Sequence, residues 1–171
     1  MKDVLKDFVK KLLAEKHYSE EVQNILNLIL NDKMFFPEIK SIIDKSSSDK
    51  IEIKKELANV VYDYIELCLE DGLVTKEEFT TVKKMRLFFD IEEGDSYKFG
   101  LKARIEQLLT IELDKMYADK VVNEEEALTK VELQALFGLC YEDFYEIDKK
   151  IAQKAINNGA KMKDLGTYFD V

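Results

Sequence analysis

Eight carboxylates in two short stretches are the residues of this sequence best suited to chemistry. Glu70, Asp71, Glu77 and Glu78 cluster in one stretch, and Asp119, Glu124, Glu125 and Glu126 in the other. Hard divalent cations (calcium, magnesium or manganese) take oxygen ligands from such groups. Two acidic loops brought together could therefore share one ion. The same residues also have a purely structural use. Thr75 and Glu78 stand three apart, as the members of a capping box do, and acidic side chains in a first helical turn favour the helix dipole.

The spacing excludes a calcium loop of the EF-hand kind. With Gly72 at the sixth position, Leu67 and Leu69 fall where the first and third oxygen ligands belong. The second stretch has Lys115 and Tyr117 at those positions, and Lys120 in place of the glycine. Enzymatic motifs are missing as well. His17 is the single histidine, so there is no paired zinc motif and no second imidazole to complete a metal triad. There is no GxSxG, no phosphate-cradling glycine loop and no GxGxxG. Paired carboxylates need a buried pocket to separate their pKa values, and these sit in polar loops. The expectation is a chain that is not an enzyme, with no catalytic residue and no cofactor apart from an optional cation at the eight carboxylates. Cys68 and Cys140 form no CxxC pair and read as reduced, half-buried thiols.

Helices must position these loops. Val4, Leu5, Phe8, Val9, Leu12 and Leu13 make one apolar stripe, with lysines and aspartates opposite. Ser19 is a candidate cap for a second helix carrying Val22, Ile25, Leu26 and Ile29. Pro37 suits the first turn of a third helix through Ile39, Ile42 and Ile43. Ser46-Ser47-Ser48-Asp49 reads as a linker whose last two residues offer the next cap. A long helix follows from about Ile51 to Leu69. After the break at Asp71-Gly72 another begins at Thr75, with Val74 and Phe79 placed as a hydrophobic staple, and Gly94-Asp95 closes it. A last long helix starts near Tyr141, carries Phe144, Ile147, Ile151 and Ala155, and stops at Asn157-Asn158-Gly159. The tail, with Met162, Leu165, Tyr168 and Phe169, reads as one more short helix docking back. Tyr62, Tyr64 and Tyr117 are placed to border a groove between the helical hairpins.

The loop and its flanks are written twice. Asp71 to Glu78 aligns with Asp119 to Glu126 at an offset of 119 − 71 = 48. At that offset Val61 meets Leu109, Ile65 meets Leu113, Cys68 meets Met116, Met85 meets Leu133, Phe88 meets Leu136, Phe89 meets Phe137 and Ile91 meets Leu139. Apolar matches apolar at each of these positions, as an internal duplication requires. The predicted fold class is all-α: a bundle of about eight helices containing two pseudo-twofold-related helix–loop–helix units. Residues 1–48 form N-terminal helices and 49–171 the duplicated domain.

Composition agrees. Six Gly and one Pro in 171 residues leave little for the tight turns of a sandwich or barrel. Apolar residues at 46% and charged residues at 36% suit a folded, well-solvated globule. A net charge of −9 argues against direct binding to a phosphate backbone and for a basic protein partner, a cation, or imitation of nucleic acid. The densest apolar run, Ile25 to Leu30, is too short to span a bilayer, and the charged N-terminus is no signal peptide, so a cytoplasmic location is expected. Nothing here sets the oligomeric state.

The duplicated signature carries a resemblance. An Asp-Gly-x-Val-x-x-Glu-Glu loop between helices, with Phe137-Gly138-Leu139-Cys140-Tyr141-Glu142-Asp143-Phe144 downstream in the second copy, resembles the TerB-like (tellurite-resistance) helical domains. The match covers roughly residues 50 to 160. The resemblance implies a compact bundle with two acidic loops, acting as a non-catalytic binding module in bacterial stress-response or phage-defence settings, with affinity for metal ions and membrane-associated complexes. The chain departs from the pattern at Lys120 and at Asp90, both in place of glycine. The expected function is thus an acidic helical interaction module with a protein partner. The alternative is a small acidic, phage-encoded inhibitor that occupies a nucleic-acid-binding site on a partner protein.

Overall fold

The computed structural model describes residues 2–33, 35–70, 74–118 and 124–159, with only the backbone described at 2–3 and 124–128. Among the described residues there are nine helices and no strand, as the scarcity of Gly and Pro leads one to expect. They are α1 (Lys2–Glu15), α2 (Glu20–Leu30), α3 (Phe36–Lys45), α4 (Lys50–Leu69), α5 (Lys76–Phe88), α6 (Asp95–Lys98), α7 (Lys102–Met116), α8 (Glu124–Phe137) and α9 (Tyr141–Asn157). The chain forms two compact units, Met1–Phe99 and Gly100–Val171. None of the described helices is long and apolar enough to cross a membrane. The proposed tail helix lies outside the described residues.

In the first unit α4 is the central element. Ile53, Leu57, Ala58, Val60, Val61, Tyr62, Tyr64, Ile65, Cys68 and Leu69 are all buried, which is too many for one stripe. Helices α2, α3 and α5 pack against α4, and α1 packs against α2. Val22, Ile25, Leu26, Ile39, Val82, Met85 and Phe89 complete this core with almost no exposure. Each such side chain contributes roughly 1.5–3 kcal/mol on burial. The 46–48 stretch therefore joins two helices of the same unit. Tyr62 and Tyr64 are 2% and 1% exposed, so both fill the core instead of bordering a groove.

Helix ends follow local chemistry. Asp49 caps α4, its Oδ1 accepting from the Ile51 N–H at 2.9 Å. Thr75 and Glu78 form the complete capping box of α5: the Glu78 N–H donates to Thr75 Oγ1 at 3.2 Å, and the Thr75 N–H donates to Glu78 Oε2 at 2.8 Å. Pro37 lies in the first turn of α3. Ser19 stands at the start of α2 without capping it through its side chain. Its N–H and hydroxyl both donate to Glu56 Oε2 on α4, at 2.9 and 3.0 Å. Turned toward that charged acceptor, its side chain accepts no bond from the first turn of α2. Sequence reading ended this segment at Gly94-Asp95. There Gly94, at φ +76°, starts the one-turn helix α6.

In the second unit α7 packs against both α8 and α9. Its core holds Ile105, Leu109, Leu113, Leu133, Leu136, Phe137, Leu139, Phe144 and Ile147. The 48-residue offset reappears here in backbone detail. After α5 the Asp90 N–H donates to Leu87 O and the Ile91 N–H to Arg86 O; after α8 the Gly138 N–H donates to Ala135 O and the Leu139 N–H to Gln134 O. Each pair of bonds ends its helix in the same way, with a left-handed residue after the last turn. Asp90 has φ +55° and Gly138 φ +62°. The departure at Asp90 is therefore one of residue type and not of conformation. Lys54 Nζ holds this strained aspartate by both its carbonyl oxygen (2.8 Å) and its carboxylate (2.7 Å). The ends of α4 and α7 also match, with Glu70 N–H on Leu67 O and Ala118 N–H on Lys115 O.

Two measurements check these ends. Gly138→Ala puts a Cβ on a left-handed residue and is expected to cost about 1 kcal/mol in urea unfolding. Asp90→Gly relieves that strain while losing a partly exposed ion pair, and should change stability by less than about 1 kcal/mol. The second concerns the 46–48 connector, where Ser46 and Ser48 donate to Glu21 Oε1. Those bonds, Ser46 foremost, hold the Glu21 carboxyl below its ordinary 4.5. A depressed folded-state pKa gives stability that is full above the unfolded value and lost as pH falls through the folded one. Glu21→Gln should lower the melting temperature at neutral pH, and the gap from the parent should close on acidification below the ordinary carboxyl range.

Candidate functional site

An open concave surface in the first unit runs between α1 and α4. Val4, Phe8 and Leu12 recur along one face of α1, while Asp63, Glu66, Leu67 and Glu70 share a face of α4. With Asp7, Lys11, Glu15 and Lys16 they line a groove of about 490 Å³. Phe8 and Leu12 form its floor at 8% and 5% exposure, and the Phe8 ring meets Tyr64 edge-on at 5.1 Å. Val4 and Leu67 remain 51% and 36% exposed, so apolar surface is left open at its sides. Lys16 reaches across to Asp63 at 2.6 Å.

Charge in this groove is not an average sample of the chain. Its lining has five carboxylates to two lysines, against 35 acidic to 26 basic residues in the whole sequence. A second, smaller groove of about 250 Å³ in the same unit has the opposite balance: Lys40, Lys50 and Lys54 against Asp44 and Asp90, beside Ile43 and Ile51. Two of its lysines are engaged in ion pairs, Lys50 with Asp44 (3.1 Å) and Lys54 with Asp90 (2.7 Å).

The eight carboxylates singled out by sequence have varied fates. Glu70 is exposed at the end of α4 and lines the large groove. Glu77 is exposed in the first turn of α5, and Glu78 turns back onto Thr75 in the capping box. Asp71 and Asp119 lie outside the described residues. So do the side chains of Glu124, Glu125 and Glu126, whose backbone forms the first turn of α8. Among the described residues no three His, Cys, Asp or Glu side chains are grouped to hold a metal ion. His17 is exposed in the connector between α1 and α2. Cys68 and Cys140 are free thiols. Cys140 donates to Asp143 Oδ2 at 3.0 Å, and that bond pushes its thiol pKa up, away from the reactive thiolate.

Sequence reasoning missed a buried polar cluster in the second unit. Tyr117 ends α7, Lys130 lies on α8 and Asp148 on α9, and they are 4%, 2% and 4% exposed. The Tyr117 hydroxyl donates to Asp148 Oδ1 at 2.7 Å. Lys130 Nζ donates to the Tyr117 oxygen at 2.5 Å and to Asp148 Oδ2 at 3.2 Å. The ammonium also stands 4.8 Å from the Tyr117 ring centroid, a cation–π distance. One group from each of three helices thus meets in a closed triangle, which ties the unit together. The signal was present: at the 48-residue offset Lys130 aligns with Val82 and Tyr117 with Leu69, both buried in the first unit. Asp148 likewise interrupts the apolar stripe of Phe144, Ile147 and Ile151.

Comparison of the chain with protein-family models, with curated proteins and with solved structures finds no match.

The triangle yields a stability test. Asp148→Leu alone strands the buried ammonium and is expected to cost roughly 3–5 kcal/mol, whereas Lys130→Met/Asp148→Leu replaces the pair with apolar volume and should recover part of that loss, the rest remaining because the buried Tyr117 hydroxyl loses both of these bonds. Chemical denaturation of the single and double variants checks the expected non-additivity.

Proposed function

We propose that this chain is a non-catalytic, acidic helical interaction module that engages a protein partner through the groove between α1 and α4. The TerB-like resemblance supplies the setting, a bacterial stress-response or phage-defence system. The observation that carries the reading is the combination of open apolar surface at Val4 and Leu67 with a surrounding acidic rim. Apolar contact surface bordered by polar, solvated groups is the usual anatomy of a protein interface.

A divalent cation at the acidic loops is an accessory to this reading and not its basis. Glu78 already serves as a capping residue, and Glu70 belongs to the groove. The distribution of charge favours a protein-binding module over imitation of nucleic acid. Lysines are interspersed among the carboxylates and paired with them, as in Lys6–Asp32, Lys16–Asp63, Lys98–Asp95 and Lys154–Asp114. A phosphate-like stripe would need those charges unneutralised.

The test is affinity purification from the source cell with the parent chain and with Val4→Asp/Leu67→Asp, each with and without chelator. Val4 is half exposed, but Leu67 is about two-thirds buried in the last turn of α4, so the variant is expected to lose about 1–2 kcal/mol of stability and is first shown to be folded by its melting curve. The expected result is a specific partner held by the parent in either buffer and lost from the variant. A partner held equally by both chains would move the binding surface elsewhere.

A further inference from the structure

We infer that the occupant of the α1/α4 groove is a cationic amphipathic helix of the partner, about three turns of it seated by two or three apolar side chains. This rests on the reading of the groove as the docking surface and goes on to name what docks. Three observations select this occupant from the usual modes of peptide recognition. Adding a strand needs an exposed sheet edge, and no strand exists among the described residues. Polyproline recognition needs an aromatic-lined trough, and Phe8 is the one aromatic side chain in this lining. A trough walled by two helices and floored by Phe8 and Leu12 is instead the setting in which a third helix lays its apolar face.

Dimensions agree with this. The α1 wall from Val4 to Glu15 spans twelve residues, about 16 Å at 1.5 Å per residue. A volume of about 490 Å³ accommodates a few side chains and not a whole helix, so the guest contributes anchors at i, i+3 or i+4, and i+7 while its backbone stays outside. Charge sets the guest's flanks. Asp7 and Glu15 stand on the α1 side together with Lys11 and Lys16, Asp7 being paired with Lys10 at 3.1 Å, and Glu66 and Glu70 stand on the α4 side, which is the more negative shoulder. Lysine or arginine on both shoulders of the guest's apolar stripe meets these carboxylates; glutamate there would be repelled. Such rim charges raise the association rate and select the partner more than they add affinity.

The probes are three fluorescein-labelled helical peptides that share one Leu/Ile face and differ only in their flanks: Lys/Arg, Gln or Glu. Each is titrated into the full chain by anisotropy at low and at raised salt, against the parent and against Leu67→Asp. The expected result is that the Lys/Arg peptide binds about tenfold or more tighter than the Gln peptide, a preference that shrinks as salt screens the rim. Leu67→Asp is expected to weaken it about tenfold even though the substitution adds negative charge. If the Gln or Glu peptide binds as tightly and is also lost in Leu67→Asp, the charge assignment is overturned while the groove stands as a docking site. Binding of the Lys/Arg peptide that survives Leu67→Asp would reduce the effect to general attraction by an acidic chain and overturn the inference. Failure of all three peptides overturns it too, leaving the groove to the partner-retention experiment above. A concentration-dependent dimer of the parent, abolished by Leu67→Asp in sedimentation, would put a second copy of this chain in the groove and likewise contradict it.

Discussion

Burial of α4 on more than one side is the constraint from which the first unit follows. A helix with ten buried residues cannot be satisfied by a single neighbour, so α2, α3 and α5 all pack against it. That leaves α1 to pack chiefly on α2. It reaches α4 through the Phe8–Tyr64 ring contact and the Lys16–Asp63 ion pair. An outer helix held in this way covers the core with its inner residues, Phe8, Val9 and Leu12, and leaves Val4 half open. The groove is thus a consequence of how the core is closed. Its acidic rim is a property of the two helix faces that happen to remain.

The two units solve the same problem with different chemistry. Both use a hairpin of helices with matched core positions and the same left-handed helix ending, one with aspartate and the other with glycine. The first unit fills the register of Leu69 and Val82 with hydrocarbon, whereas the second puts Tyr117 and Lys130 there and balances them with Asp148. Buried ion pairs seldom add net stability over well-packed apolar groups, but they penalise any arrangement that separates the partners. In the second unit that penalty acts against any arrangement that separates Lys130 from Asp148.

Much of the fold was legible from residue spacing because it depends on local rules. The caps at Asp49 and Thr75, the proline in the first turn of α3 and the start of α9 at Tyr141 are all short-range signals. What could not be read depends on partners distant in sequence. Ser19 has the right type for a cap, yet its side chain turns to Glu56, 37 residues away, and does not cap α2. Tyr62 and Tyr64 carry polar tips that suggest a surface, but the crowding around α4 buries them. The eight acidic residues advertised chemistry by type alone, and of those described, Glu78 serves a helix start and Glu70 a groove wall. The groove itself has no motif. It depends on which part of the α1 stripe is left uncovered, and only packing decides that. The Lys130 triangle was accessible in principle, through a charge standing at a position that the other copy buries.

The central claim is that the working surface is the trough between α1 and α4, and amide hydrogen exchange addresses it most directly. The full chain would be followed with and without a saturating Lys/Arg-flanked amphipathic peptide. Added protection is expected along α1 and over residues 63–70 of α4, with α7 and α9 unchanged. Protection concentrated on α7 or α9, with α1 exchanging as before, would contradict it.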